Sequence, residues 1–174
     1  MSTAVAPAVT GVRDLDALFD PRSVAVVGAS DDPAKWGHHL AVQLLRAPGG
    51  RAVHLVNRKG GTVLGQTALT RLRDAGTPVD LVAICVPAAG FLDAVDDALA
   101  SGARAIVGIT AGLSEASPEG RAIELEALRR VRAAGAVLVG PNCLGVIDTT
   151  SSLFLASEPF TAGEVAVLSQ SGNL

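Results

Sequence analysis

The chain has 174 residues, 49% apolar and 18% charged, with a formal net charge of −3. That length holds one domain and part of a second, at roughly 100–200 residues each. The apolar content excludes intrinsic disorder and a collagen-like fibre, the charge excludes the basic footprint of nucleic-acid binding, and no apolar run approaches the roughly 18 residues that span a bilayer.

Residues 1–13 are small and polar and are read as a disordered tail, without the cationic start of a signal peptide. Residues 14–19 (DLDALF) suit one amphipathic turn, ended by Asp20-Pro21 because the residue before proline avoids helical backbone angles. Five continuous apolar runs follow at 24–27 (VAVV), 53–56 (VHLV), 81–86 (LVAICV), 105–109 (AIVGI) and 137–139 (VLV). Runs that are β-branched and unbroken rather than alternating mark strands covered on both faces, as in a parallel sheet. Helical patterns lie between them. Phe91, Val95 and Leu99 recur on one side of a helix, with Asp93, Asp96 and Asp97 read as its solvated face. Ile123, Ala127 and Val131 repeat the spacing, with Ser117-Pro118 as N-cap and first helical residue and Gly135 as the stop. The alternation predicts a Rossmann-like, doubly wound α/β sheet of strand order 3-2-1-4-5 over residues 14–150, with helices on both faces. Residues 151–174 read as a linker and the first strand (165–168, VAVL) of a truncated second domain.

In such folds ligands bind at the carboxyl ends of the strands. The first strand ends in Gly28, Ala29 and Ser30, with Lys35 and Gly37 just beyond. Of the three fingerprint glycines of a dinucleotide fold only Gly28 is present; Ser30 and Pro33 hold the other two places. A longer loop carrying Ser30 and Lys35 suits a phosphate-bearing ligand approached differently. The second strand ends in Asn57, Arg58 and Lys59 where an NAD enzyme places an acid. Two cations there suit a ribose phosphate, either of NADP or the 3′-phosphate of coenzyme A. The turns at Val86-Pro87, at Thr110 to Gly112, and at Asn142 lie on the same edge.

Five motifs stand in order: LFDPRSVAVVGAS (18–30), VPAA (86–89), ITAG (109–112), GPNCLG (140–145) and VLSQSGNL (167–174). With them the chain resembles, from about residue 14 to 174, the CoA-binding domain of nucleoside-diphosphate-forming acyl-CoA synthetases. These include ADP-forming acetate–CoA ligase and are similar to the succinyl-CoA synthetase α subunit. The resemblance implies coenzyme A as cofactor, with its phosphates in the Gly28–Gly37 loop against Ser30 and Lys35. It puts Asn57, Arg58 and Lys59 around the 3′-phosphate, Val86, Pro87, Thr110 and Gly112 along the adenine and pantetheine path, and Asn142 near the thiol. It also implies an ATP-grasp domain or subunit as partner, and the reaction acid + CoA + ATP ⇌ acyl-CoA + ADP + phosphate through a phosphohistidine.

The histidines are His38, His39 and His54, and none follows. The family's phosphorylated histidine lies beyond the SQSG motif, so this chain is expected to bind CoA without turning over alone. His38 and His39 read as helix-face residues and His54 as a core residue. Cys85 and Cys143 have no metal-ligand spacing and no evident base, so no catalytic or metal-binding residue is assigned, and a reduced, cytoplasmic setting is expected. An oligomer is compatible with the sequence. Two other readings share the same fold and cations: an NADP-dependent oxidoreductase fragment, and a CoA-sensing domain fused to an acyltransferase.

Overall fold

The computed structural model describes residues 15–46, 49–158 and 160–164. The expected tail over 1–13 and the expected strand over 165–168 lie outside them.

Six strands run parallel: β1 (Ser23–Val27), β2 (Ala52–Val56), β4 (Gln66–Leu69), β5 (Leu81–Ile84), β6 (Ala105–Gly108) and β7 (Val137–Val139). β3 (Thr62–Val63) closes the sheet as an antiparallel edge, giving the order β3-β4-β2-β1-β5-β6-β7. The mostly parallel α/β sheet is the one the sequence predicts, and one detail of its order is corrected. The third anticipated run, β5, pairs with β1 instead of lying outside β2. The outer place belongs to β4, which the sequence does not announce. β4 is short and half polar, and its hairpin with β3 turns through Leu64-Gly65, at φ 51° and 75°, without the Asn-Gly or Asp-Gly signal.

Helices cover both faces. β1 is buried along its whole length, and so are β5 and β6, which explains their unbroken apolar sequences. On one face α2 (Trp36–Arg46) packs Leu40, Ala41 and Leu44 onto Val24, Val26, Leu81 and Ala83. On the other, α3 (Phe91–Ala100) and α4 (Pro118–Ala133) bring Phe91, Val95, Ala127 and Val131 onto Ala25, Val82 and Ile106. Each fully buried Leu, Ile or Phe contributes about 1.5–3 kcal/mol. α4 begins and ends as its sequence predicts. The Gly120 N–H donates to the Ser117 hydroxyl at 3.0 Å. At the other end Ala136 N–H donates to Val131 C=O and Gly135 N–H to Arg132 C=O, both at 3.0 Å, with Gly135 at φ 72°.

The acidic face of α3 needs correction. Asp97 is buried, accepting the Leu72 N–H at 2.6 Å and Arg73 Nε at 2.5 Å. It thereby holds the 3₁₀ turn Leu72–Ala75, whose first N–H groups lack helical partners. Asp96 pairs with Arg130 of α4 at 2.5 Å.

The polar stretch at 149–152 is the turn of a hairpin, β8 (Val146–Asp148) with β9 (Leu153–Leu155). Leu153 and Leu155 are buried in the same core as α2. Arg51, itself buried, reaches across to this turn. Its Nη1 donates to Ser152 C=O at 3.2 Å, its Nε to Pro21 C=O at 3.1 Å, and Nη2 bonds Ser151 C=O.

Candidate functional site

The loops after β1, β2, β5, β6 and β7 all leave the carboxyl edge of the parallel sheet, where ligands of such folds bind. Gly28 turns the chain at φ 97°, and a Cβ there would stand 2.6 Å from the Cys85 carbonyl oxygen. Gly37 lies against the same turn. A Cβ on Gly37 would collide with the Gly28 carbonyl, so the first turn of α2 seats directly on the end of β1. This is the role of the third fingerprint glycine, moved along the chain by a longer loop. A fixed-spacing pattern misses it; the combination of Gly28 and a glycine at the start of the next helix is the signal that finds it.

The loop is held by its own side chains. Ser30 Oγ accepts the Asp32 N–H at 3.1 Å, and Asp32 Oδ1 accepts the Ala34 N–H at 3.0 Å. That backbone bond, with help from Lys35 and His38, holds the exposed Asp32 carboxyl below its ordinary range. Lys35 Nζ lies 3.6 Å from Asp32 Oδ2, so the cation expected to meet phosphate is paired internally here. Asp31 Oδ1 accepts the Leu64 N–H at 2.7 Å, which anchors the β3–β4 turn to the loop. Among the described residues the N–H groups of Ser30, Asp31, Trp36 and Gly37 make no hydrogen bond. Unpaired amides in a turn and at a helix start form an anion-binding concavity.

The turn after β2 is welded to this loop. Asn57 Nδ2 donates to Ala29 C=O at 2.8 Å, its Oδ1 accepts the Lys59 N–H at 2.9 Å, and its carbonyl accepts the Gly60 N–H at 2.7 Å. Asn57 thus ties the two loops together through one donor and one acceptor of its side-chain amide. The turn puts Arg58 and Lys59 at its two central positions, both exposed and neither in an ion pair among the described residues. The two cations thus stand beside the loop of free amides.

The other side of the edge closes on itself. Thr110 is buried, and its hydroxyl donates to Val86 C=O at 2.9 Å. The Asn142 N–H donates to Thr110 C=O at 3.0 Å, and Asn142 is exposed with φ 55°. The N–H groups of Gly112 and Leu113 both donate to Glu115, at 2.5 and 3.1 Å, which lowers that carboxyl from its ordinary value. Pro87 and Gly112 are exposed and Val86 half-buried, while Leu144 stands 59% exposed on the loop after β7. Gly28 abuts Val86, Val86 bonds Thr110 and Thr110 bonds Asn142, so the expected positions form one continuous border.

Burial pushes the Cys85 thiol up to about 12, with Cys143 adding to it. Cys143 is raised as well by burial, and its Sγ lies 3.3 Å from Gly108 C=O. Both are packing residues in the protonated form. No helix of the described residues is long and apolar enough to cross a membrane.

A mostly parallel, doubly wound sheet with helices on both faces defines a domain of Rossmann-like fold. The family model of the CoA binding domain matches residues 22–149, and the chain belongs to that family. Coenzyme A, expected from the sequence, is the ligand that this membership supports. The chain is 35% identical over 161 residues to the α subunit of an ADP-forming acetate–CoA ligase II of Pyrococcus furiosus, covering 92% of this chain and 35% of that protein. It is 36% identical to ADP-forming acetate–CoA ligase I of Archaeoglobus fulgidus, covering 91% of this chain and 23% of that one. Among solved structures, the dinucleotide-forming acetyl-coenzyme A synthetase 1 of Ca. Korarchaeum cryptofilum, in complex with phosphate and ADP, superposes with a TM-score of 0.78. The identity is 32%, over 84% of this chain and 31% of that one. The chain thus spans about a third or less of the length of these relatives.

Proposed function

We propose that this domain binds coenzyme A as the CoA-binding part of an ADP-forming acyl-CoA synthetase acting in the cytoplasm. The pyrophosphate meets the free amides of Ser30, Asp31, Trp36 and Gly37, with Lys35 turning to it from Asp32. Arg58 and Lys59 take the 3′-phosphate. Val86, Pro87, Thr110 and Gly112 border the adenine and pantetheine, Thr110 and Gly112 through their backbone, and Asn142 and Leu144 stand toward the thiol end. The packed unit runs to residue 156, because β9 is buried with α2, and the second domain follows it. The chain's own residues bind and orient CoA. Phosphoryl transfer falls to an ATP-grasp partner and to a histidine outside this chain, so the domain alone does not turn over acid, CoA and ATP.

The observation that carries this reading is the pair of exposed cations, Arg58 and Lys59, without ion-pair partners among the described residues, beside a loop whose Ser30, Asp31, Trp36 and Gly37 amides make no hydrogen bond there either. Charge-assisted bonds to phosphate contribute about 1.5–3 kcal/mol each before solvent screening. Calorimetry is expected to show CoA binding more tightly than dephospho-CoA. The double variant R58A/K59A should lose about 30-fold in CoA affinity and little for dephospho-CoA. Equal affinity for the two ligands removes the 3′-phosphate assignment. A fluorescence response to NADPH with none to CoA removes the proposal.

A further inference from the structure

We propose that His38 is a positioning residue that sets the Ser30–Asp31 peptide so that the Asp31 N–H is presented to the CoA pyrophosphate. The inference rests on the coenzyme A reading and deepens it. His38 is half-buried in the first turn of α2, and its Nδ1 lies 3.1 Å from the Ser30 carbonyl oxygen. A carbonyl only accepts, so Nδ1 carries the hydrogen and donates it. In a trans peptide the C=O and the following N–H point to opposite sides. Drawing the Ser30 carbonyl toward the ring therefore directs the Asp31 N–H away from it, and that N–H makes no bond among the described residues. The His39 ring stands edge-on to the His38 ring, with centroids 5.7 Å apart and planes at 90°. That contact limits ring rotation.

The sequence assigns His38 to a helix face; the structure gives it a backbone partner eight residues back, inside the phosphate loop. The charged neighbours are the Asp32 carboxylate, which feels His38, and the Lys35 ammonium paired with Asp32. The bond to Ser30 needs only a hydrogen on Nδ1, which the Nδ1–H imidazole tautomer and the imidazolium both carry.

Two measurements test this. Side-chain ¹H–¹⁵N spectra of the ligand-free protein above the histidine titration should show His38 as the Nδ1–H tautomer with a bare Nε2. That form is fixed by the hydrogen bond the ring makes. An Nε2–H tautomer overturns the proposal without any variant. In titrations H38L should weaken CoA and dephospho-CoA by the same factor, about tenfold, because the lost amide faces the pyrophosphate they share. H38N, whose amide nitrogen falls near the Nδ1 position, should stay within about threefold of the wild type. Unchanged affinity in folded H38L, or equal loss in H38N and H38L, overturns the assignment. Failure of the wild type to bind CoA at all refutes the functional reading instead, and the tautomer still decides the bond to Ser30.

Discussion

The two halves of the sheet's carboxyl edge spend their hydrogen bonds in opposite ways. On the β1–β2 half, side chains hold backbone: Asn57 grips Ala29, Ser30 grips Asp32, and His38 grips the Ser30 carbonyl. Among the described residues the amides of Ser30, Asp31, Trp36 and Gly37 are left over. On the β6–β7 half the amides of Gly112 and Leu113 are held by Glu115 and that of Asn142 by Thr110. The first half suits an anion; the second, with the Glu115 carboxylate and an exposed Leu144, suits an uncharged, extended chain. A ligand with phosphates at one end and a long amide arm at the other matches that polarity.

The largest expected effect breaks the first half outright. G37A drives a methyl into the Gly28 carbonyl and separates α2 from the β1 turn. Overpacking of this kind should cost about 3 kcal/mol in urea denaturation and abolish CoA binding in calorimetry. N57A is next. It removes two side-chain bonds to backbone, which should cost about 2 kcal/mol of stability and about tenfold in CoA affinity.

T110V probes the second half. It deletes the bond to Val86 C=O and should cost about 1 kcal/mol of stability while leaving CoA affinity within about twofold. A large loss of affinity in T110V would show the hydroxyl serving the ligand, and the contrast between the halves would fail. The smallest effect is a pH dependence from His54 on β2, whose ring nitrogen Nε2 is buried without a hydrogen-bond partner among the described residues. Burial lowers its pKa from the ordinary histidine value of about 6.5. The unfolded chain then binds a proton that the folded one refuses, so stability should fall as pH drops below about 6.5. Denaturation midpoints of H54F should lose that slope while CoA affinity stays unchanged.

The main strands and the helices between them were legible in the sequence because burial on both faces forces unbroken apolar runs, as in 81–84, and because α4 announces both ends with Ser117-Pro118 and Gly135. The two hairpins were not. β3–β4 turns through Leu64, whose positive φ is supported by a distant carboxylate, Asp31, and no local pattern encodes that. The polar turn at 149–152 reads as a break because the groups that hold it, Arg51 and the Phe19 carbonyl, lie far away in sequence. The site was legible as positions on loops. Which of them hold backbone, as Asn57 and Thr110 do, emerges only once their partners are in place. Asp97 illustrates the same limit in the core, since a helical wheel cannot show that the 3₁₀ turn covers it.

Backbone amide spectra recorded as CoA is added test the division of the edge most directly. The amides of Ser30, Asp31, Trp36 and Gly37 should move most, in step with the binding isotherm, while that of Leu113 stays on Glu115 and barely shifts. Large movement at Leu113 with a silent β1 loop would contradict the account.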